Sequence, residues 1–145
     1  PKVQLDRNAQ VGSFQAEYGG FDKLDADSNF SFQVVIADSI GEPHQLSVYF
    51  VHAGDLVWKA RLYAQPGETT GTLRGPILLA ETDVLFNSDG SVLIVAAGGR
   101  TIYPNLTAEP VFANGAPPQT FTISLSDVTE VDGSSELISI SEVRS

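Results

Sequence analysis

The stretch from Val34 to Tyr63 constrains the fold of this chain more than any other part of it. Its sequence, VVIADSIGEPHQLSVYFVHAGDLVWKARLY, alternates apolar with polar residues and is interrupted by two turn-forming segments, Asp38–Pro43 and Ala53–Asp55. Runs rich in Val, Tyr, Phe and Trp suit the pleated, half-buried surface of a sheet. Three connected strands can bury one face, which a lone hairpin in water does not do reliably. The stretch therefore predicts a three-stranded meander.

The alternation also predicts which face of the meander is buried. On the third strand Trp58 alternates with Lys59 and Arg61, so the two cations share the face opposite Trp58. We expect the face with the cations to be solvated and the face with Trp58 to be the core side. Burial of Trp58 would then contribute roughly 3 kcal/mol or more of apolar transfer free energy.

Turn signals, rather than helix signals, divide the rest of the chain. Residues 1–29 are polar and turn-rich, and we interpret them as a lead-in segment that packs a few apolar anchors onto the sheet. The pair Asp89-Gly90 lies between apolar runs and predicts a second hairpin. Further strands are predicted at Gln119–Ser126 and near Leu137–Val143. No window combines a period of 3.6 residues with helix caps.

Short strands at this spacing predict an all-β fold, either an antiparallel β-sandwich or a partly open β-barrel of short strands with long loops. We expect a single domain over residues 1–145. Residues 1–29 would be its lead-in segment and residues 30–145 the β-domain proper. Residues 64–118 carry many Gly and Pro and would form a decorated loop region.

Charge and composition exclude several classes of function. The 145 residues include 18 acidic and 8 basic ones, for a net charge of −10. Such a chain repels phosphate backbones and anionic lipid, so we expect neither a nucleic-acid nor a membrane partner. There is no cysteine, which excludes disulfides and thiolate metal sites. There is also no methionine, even at position 1, and we interpret the sequence as a piece of a longer protein.

Candidate metal ligands do not complete a recognised site. The segment Asp25–Asn29 begins like a calcium-binding loop, but Phe30 and Ile36 stand where that loop needs glycine and glutamate. His44 and His52 would lie about 27 Å apart along one strand, too far to share a metal ion. We therefore nominate no metal ligand.

Catalytic and cofactor motifs are likewise missing from the sequence. No Gly-x-Ser-x-Gly elbow occurs, and Gly98-Gly99 lacks the strand–loop–helix context and the lysine of a phosphate loop. No pair among the acidic residues is singled out for acid–base work. We nominate no catalytic residue, no cofactor and no small-molecule substrate, and expect a protein that is not an enzyme.

A resemblance to a known family rests mainly on the first strands. The stretch Val34–Tyr63 resembles the outer β-domain of bacterial flagellar hook proteins, a module that related rod proteins share. The matching residues are Asp38, Ser39, Ile40, Gly41, Pro43, His44, Leu46, Val48, Tyr49, Phe50 and Trp58. Weaker matches follow at the hairpin with Asp89 and Gly90 and at Ala116–Leu125. Ala37 departs from the family, which usually has an aromatic residue there.

The resemblance implies a structural subunit domain of the flagellar hook, the curved helical tube that acts as a universal joint between motor and filament. It implies that the whole subunit leaves the cell through the flagellar export apparatus and is extracellular, with other hook subunits as its partners. The terminal helices that form the inner tube in this family are missing from this sequence. We therefore expect the isolated domain to be monomeric.

A second class of function stays open at this stage, a secreted β-sandwich that binds carbohydrate or a surface. Tyr49, Tyr63 and Tyr103, if exposed, could stack on sugar rings. Two segments also match the acceptor pattern for N-glycosylation, beginning at Asn29 and at Asn105. A binding module would gather such aromatic residues in one cluster, whereas the tyrosines are scattered along this sequence.

Overall fold

The computed structural model of the chain describes residues 1–70 and 75–140. Within these ranges the chain forms eleven strands and one short helix. In chain order they are β1 (Lys2–Asp6), α1 (Phe21–Asp27), β2 (Phe30–Ala37), β3 (Pro43–Gly54), β4 (Val57–Ala64), β5 (Ile77–Leu85), β6 (Val95–Ala97), β7 (Arg100–Ile102), β8 (Asn105–Ala108), β9 (Phe121–Ser124), β10 (Val128–Val131) and β11 (Glu136–Ser139).

The predicted meander is confirmed as the first three strands of a four-stranded antiparallel sheet in the order β2-β3-β4-β5. The register places Phe50 between Phe30 on β2 and Ala60 on β4. The turn between β3 and β4 contains Leu56 at a φ of 60°, a conformation more typical of glycine. This is the largest sheet of the fold, and other segments cover one of its faces and the central strands of the other face.

One face of the four-stranded sheet packs against the smaller sheets to form the main core. Trp58, Phe50 and Leu62 are fully buried there. The opposing side chains come from the smaller sheets and the second hairpin, and include Val3, Leu5, Phe86, Leu106, Ala108, Phe121, Ile123, Leu125 and Val128. The fold is therefore sandwich-like, which confirms the all-β prediction, and the described strands do not close into a barrel.

The first strand corrects the prediction that residues 1–29 form only a lead-in segment. Strand β1 lies at the centre of a three-stranded sheet, parallel to β10 and antiparallel to β11. Val3 and Leu5 are fully buried. The pairing places Lys2 opposite Ser139, and Val3 opposite Val128. A five-residue strand whose partners lie more than 120 residues away leaves only a weak local signal, and β10 was missed for the same reason.

The short helix α1 was also not predicted. It spans seven residues, and its N-cap residue, Gly20, makes no side-chain capping bond. Its stability therefore depends on tertiary contacts rather than on intrinsic propensity. Leu24 provides the apolar contact, since it is fully buried in a cluster with Tyr49 and Tyr63 on the second face of the large sheet.

The second predicted hairpin forms its turn but only a short ladder. The Asn87 and Ser91 backbones bond across the turn, and a single bridge joins Phe86 to Val92. Beyond it the chain leaves β5, and β6 pairs with β7 instead. The predicted strand Gln119–Ser126 is confirmed as β9, which pairs with β8. The predicted last strand is β11, and its predicted end beyond residue 140 lies outside the described residues.

The burial of β1 leads to a test of its role. Replacing Leu5 by Ala should lower the free energy of unfolding by about 2–5 kcal/mol, because it leaves a cavity in the core. Val11 is 57% exposed in the same N-terminal segment, and Val11→Ala should change stability by less than about 0.5 kcal/mol. Urea unfolding followed by circular dichroism measures both. Equal losses of stability in the two variants would indicate that residues 1–29 form only a lead-in segment.

Candidate functional site

The turn between β2 and β3 spans residues 38–42, which apart from Glu42 are among the residues that resemble the family, and we call it the motif turn. It is built around Asp38. The Asp38 N–H donates to the Glu42 carbonyl at 2.9 Å, and the Gly41 N–H donates back to the Asp38 carbonyl at 3.0 Å. The Asp38 carboxylate also accepts hydrogen bonds from the Ile40 and Glu42 N–H groups, each at 3.0 Å. Gly41 has a φ of +85°, which a side chain would disfavour. Pro43 then begins β3, so the motif residues define this corner.

His44 lies beside this turn with both ring nitrogens engaged. Nε2 is 2.6 Å from the Asp38 carboxylate, and Nδ1 is 2.5 Å from the carboxylate of Glu68. The imidazole stacks on Phe112 with ring centroids 3.7 Å apart. Desolvation by burial opposes the charged ring, but the hydrogen bonds to Glu68 and Asp38 outweigh it and raise the pKa of His44.

Asn114 completes the group of side chains at this corner. Its amide donates to Asp38 at 2.7 Å and to Glu42 at 3.1 Å. Burial by itself would raise the pKa of Asp38. The hydrogen bonds from Asn114, from His44 and from the turn backbone outweigh burial, and the net result is a pKa well below its usual value. We call Asp38, Glu42, His44, Glu68 and Asn114 the corner cluster.

The corner cluster fastens three separate segments together. It joins the motif turn to the loop that carries Glu68 and to the segment that carries Phe112 and Asn114. A further link is made by Ser39, whose hydroxyl donates to the Pro117 carbonyl at 2.9 Å. The motif residues are therefore used to hold the protein's own backbone, and Glu68 and Asn114 are partners that the sequence patterns did not indicate.

A second polar contact lies inside the main core at Trp58. The indole N–H donates to the Glu130 carboxylate at 2.8 Å, and both side chains are buried. His52 stacks on Trp58 at 4.6 Å between ring centroids, and its Nδ1 lies 2.7 Å from the Ala9 carbonyl. Arg7 lies 3.7 Å from Glu130 and balances its charge. Glu130 is 72 residues from Trp58, so no local pattern marks this pair.

The predicted hairpin turn packs directly against the strand that carries Glu130. Gly90 has a φ of +90°, and its carbonyl accepts a hydrogen bond from the Glu130 N–H at 2.9 Å. A Cβ atom at Gly90 would lie 2.3 Å from the Glu130 carbonyl oxygen, so only glycine fits. Asp89 is exposed, and hydrogen bonds from the Ser91 side chain and backbone lower its pKa.

Tyr49 and Tyr63, considered above as sugar-stacking residues, are buried, which corrects that interpretation. They meet edge to face, 5.8 Å apart, on the second face of the large sheet. The Tyr49 hydroxyl donates to Asp25 at 2.9 Å, and burial together with this carboxylate raises the pKa of Tyr49. Tyr103 remains about half exposed. The buried pair is structural, because no sugar can reach it.

Arg61 was predicted to lie on a solvated face, and this was wrong. It is only 8% exposed, and its guanidinium lies 4.5 Å from the centre of the Phe14 ring and donates to the Gln15 carbonyl at 2.6 Å. The N-terminal segment covers this part of the sheet, which local alternation cannot reveal. Lys59 is still partly exposed and pairs with Asp83 at 3.3 Å, as a solvated residue would.

The acidic residues that resembled a calcium loop have other partners. Asp25 accepts from Tyr49, and Asp27 accepts from the Tyr18 hydroxyl at 2.8 Å and pairs with Lys23. Over residues 1–70 and 75–140 no three His, Asp or Glu side chains are arranged to hold a metal ion. In the same part of the chain no helix is long and apolar enough to cross a membrane.

The β6–β7 hairpin and the residues that flank it carry the largest group of exposed apolar side chains along the described sequence. These are Leu93, Ile94, Val95, Ile102 and Tyr103, each at least 40% exposed. Several of them border a shallow groove of about 90 Å³ beside β5. No charged or catalytic side chain converges with them beyond Asp83, so the groove has no evident chemistry.

The fold and these clusters define an all-β structural module whose polar side chains mainly hold its own segments together. The family described as "Flagellar basal body protein FlaE D2 domain" matches residues 4–142, and the chain belongs to this family. This finding confirms the resemblance based on the corner and the Trp58 strand.

Two relatives show how the match extends. The chain is 29% identical over 124 residues to the flagellar hook protein FlgE of Escherichia coli (strain K12), covering 84% of this chain and 28% of that protein. Its fold is similar to that of a 32 kDa fragment of the flagellar hook protein FlgE from Caulobacter crescentus, with a TM-score of 0.60 and 18% identity. That match covers 81% of this chain and 46% of the fragment. The chain thus spans less than a third of the curated relative's length.

The contact between Gly90 and Glu130 leads to a stability test with a matched control. Gly90→Ala should lower the free energy of unfolding by about 3 kcal/mol or more, because it combines a positive φ with a backbone clash. Gly115 has a φ of +83°, but no atom lies within 4 Å of the position that a Cβ would take, so Gly115→Ala should cost only about 1 kcal/mol. Urea unfolding curves give both values, and equal costs would show that the clash is relieved easily.

The lowered pKa of Asp38 leads to a test by pH. A carboxyl whose pKa is lower in the folded state stabilises the fold above its unfolded value of 3.8, and this contribution is lost as the pH falls through the folded pKa. The urea midpoint of the wild type should therefore fall between about pH 4 and pH 2 more steeply than that of Asp38→Asn. Parallel curves for the two proteins would contradict the assignment.

Proposed function

We propose that this chain is a structural domain of a bacterial flagellar hook subunit and is not an enzyme. The alignment with the Escherichia coli hook protein over 124 residues carries the proposal, and the family match over residues 4–142 supports it. In the proposed role the whole subunit is exported by the flagellar apparatus and assembles outside the cell into the helical hook. The hook then passes torque from motor to filament as a universal joint.

Within the hook subunit we place residues 1–145 as one outer β-domain. The pairing of β1 with β11 supports this placement, since Lys2 lies opposite Ser139 and both flanks of the domain emerge side by side. A domain tethered in this way projects from its neighbours like an insertion. Residues 64–118 would be its decorated region, and they include the exposed β6–β7 hairpin.

The partners in this role are other copies of the hook subunit. A joint that bends during each rotation requires neighbouring outer domains to slide, which suits modest polar contacts better than large apolar ones. The outward-facing Thr107 and Thr122 on β8 and β9, which lie within hydrogen-bond distance of each other, are typical of such a polar surface. The net charge of −10 also opposes tight association of isolated copies, in line with a monomeric domain.

A binding module for carbohydrate gains no support from the arrangement of side chains. Two of the three tyrosines that could have stacked on a sugar are buried. Asn29, the first glycosylation acceptor considered, uses both ends of its amide: it donates to the Gln10 carbonyl at 2.8 Å and accepts from the His52 N–H at 2.7 Å. We therefore propose the hook role alone.

The proposed location can be tested by labelling living cells, because residues 1–145 contain no cysteine. Ser31→Cys and Thr120→Cys would place a thiol at two exposed positions in the full-length parent protein, cleared of any cysteine elsewhere. A membrane-impermeant fluorescent maleimide should then label one spot at the base of each filament.

The matched control for this experiment is Ser47→Cys, since Ser47 is only 3% exposed. It introduces the same thiol in a buried position and should leave the filament bases unlabelled while the cells still swim. Label spread over the cell surface at both exposed positions, or protein retained inside cells that assemble normal hooks, would contradict the proposal.

A further inference from the structure

The corner cluster holds an imidazole ring between two carboxylates. His44 Nε2 lies 2.6 Å from Asp38, and Nδ1 lies 2.5 Å from Glu68. A neutral imidazole can donate from only one nitrogen, and an ionised carboxylate can only accept. Both contacts can be hydrogen bonds together only when the ring carries two protons. With both carboxylates ionised, the geometry of this site therefore requires the imidazolium form of His44.

We propose that the corner cluster is a proton-operated latch. Protonated His44 fastens the loop segment Gln65–Thr70 to the motif turn, and loss of that proton as the pH rises releases the Glu68 side chain and loosens the segment. The device uses the chain's own residues and does not depend on the hook role.

Burial decides which carboxylate is released. The Asp38 side chain is only 1% exposed and keeps hydrogen bonds from Asn114 and from the turn backbone. Glu68 is 35% exposed at its side chain and reaches water by a simple rotation. After deprotonation the remaining ring N–H stays with Asp38, and the lone pair on Nδ1 faces the Glu68 carboxylate. That contact becomes repulsive, so Glu68 leaves.

The groups around the ring come from every segment that meets at the corner. The motif turn contributes Asp38 directly and Glu42 through Asn114, and the loop contributes Glu68. The neighbouring β2 contributes apolar Ile36, opposite His44 in the register. The Phe112 ring stacks on the imidazole, and an aromatic face stabilises a cation. The described surroundings thus favour the charged ring, in agreement with its raised pKa.

Backbone bonds limit how far the released segment can move. The Ala113 N–H donates to the Glu68 carbonyl and the Thr70 N–H donates to the Val111 carbonyl, each at 2.9 Å. These two bonds still form after Glu68 is released, but they open more often, because the paired segments are held less firmly to the motif turn. The pair loses the link through Glu68 and keeps the side-chain links to the motif turn that Asn114 and Ser39 make. The expected change is local opening of this pair and not unfolding of the domain.

The test combines imidazole NMR with amide hydrogen exchange on the folded chain, from pH 5 upward until the His44 ring is neutral. The ¹⁵N signals of His44 should show two protonated nitrogens above pH 6.5. His52, whose Nδ1 contacts the Ala9 carbonyl instead of a carboxylate, serves as an internal comparison. As His44 loses its proton, protection factors at Thr70 and Ala113, corrected for intrinsic exchange, should fall on the order of tenfold.

Two variants separate the latch from general charge effects. Glu68→Gln removes the negative charge and should lower the His44 pKa. Because an amide can accept from Nδ1–H or donate to the Nδ1 lone pair, protection at Thr70 and Ala113 should no longer change as the ring titrates. Glu136→Gln removes the same charge at an exposed position on β11 and should behave like the wild type.

The wild-type titration decides the matter even if a variant folds poorly. A His44 ring that is neutral at pH 6.5 would overturn the proposal. So would protection at Thr70 and Ala113 that stays constant through the His44 titration.

Discussion

The central strands β3 and β4 of the large sheet must be covered on both faces, and this constraint organises the rest of the molecule. Strand β3 is buried continuously from Leu46 to His52, so both of its faces are shielded from water. The smaller sheets cover one face, and residues 14–24 cover the other with Phe14, Tyr18 and Leu24. A sheet that is covered on both sides does not expose either face of its central strands to solvent.

Covering both faces also buries polar atoms, and each of these needs a partner. The indole N–H of Trp58 donates to the Glu130 carboxylate, and the Tyr49 hydroxyl donates to the Asp25 carboxylate. The Arg61 guanidinium donates to the Gln15 carbonyl. These three partners come from covering segments, and Arg61 also donates to Glu81 and to the Tyr63 hydroxyl within the sheet. The polar contacts therefore fix where each covering segment sits, whereas apolar contact alone would permit it to slide.

This division explains what could be predicted from the sequence. Alternation and turn chemistry act over a few residues, so the meander, the Asp38 corner and the Asp89-Gly90 turn were all accessible. The partners Glu68, Asn114 and Glu130 lie 24 to 76 residues from the groups they bind, and nothing local marks them. The error at Arg61 has the same origin, because its cover lies 46 residues earlier in the chain. The family resemblance pointed to the corner residues without revealing what they hold.

The side-by-side arrangement of β1 and β11 has a mechanical consequence. Lys2 and Ser139 lie opposite each other, so forces that pull the two flanks apart would open the strand pair one hydrogen bond at a time, like a zipper. In the proposed insertion, forces that move both flanks together would load no hydrogen bond between them, and the domain would swing about a single pivot. The parallel pairing of β1 with β10 adds a second row of bonds on the other side of the strand. A body attached in this way withstands repeated tilting far better than stretching.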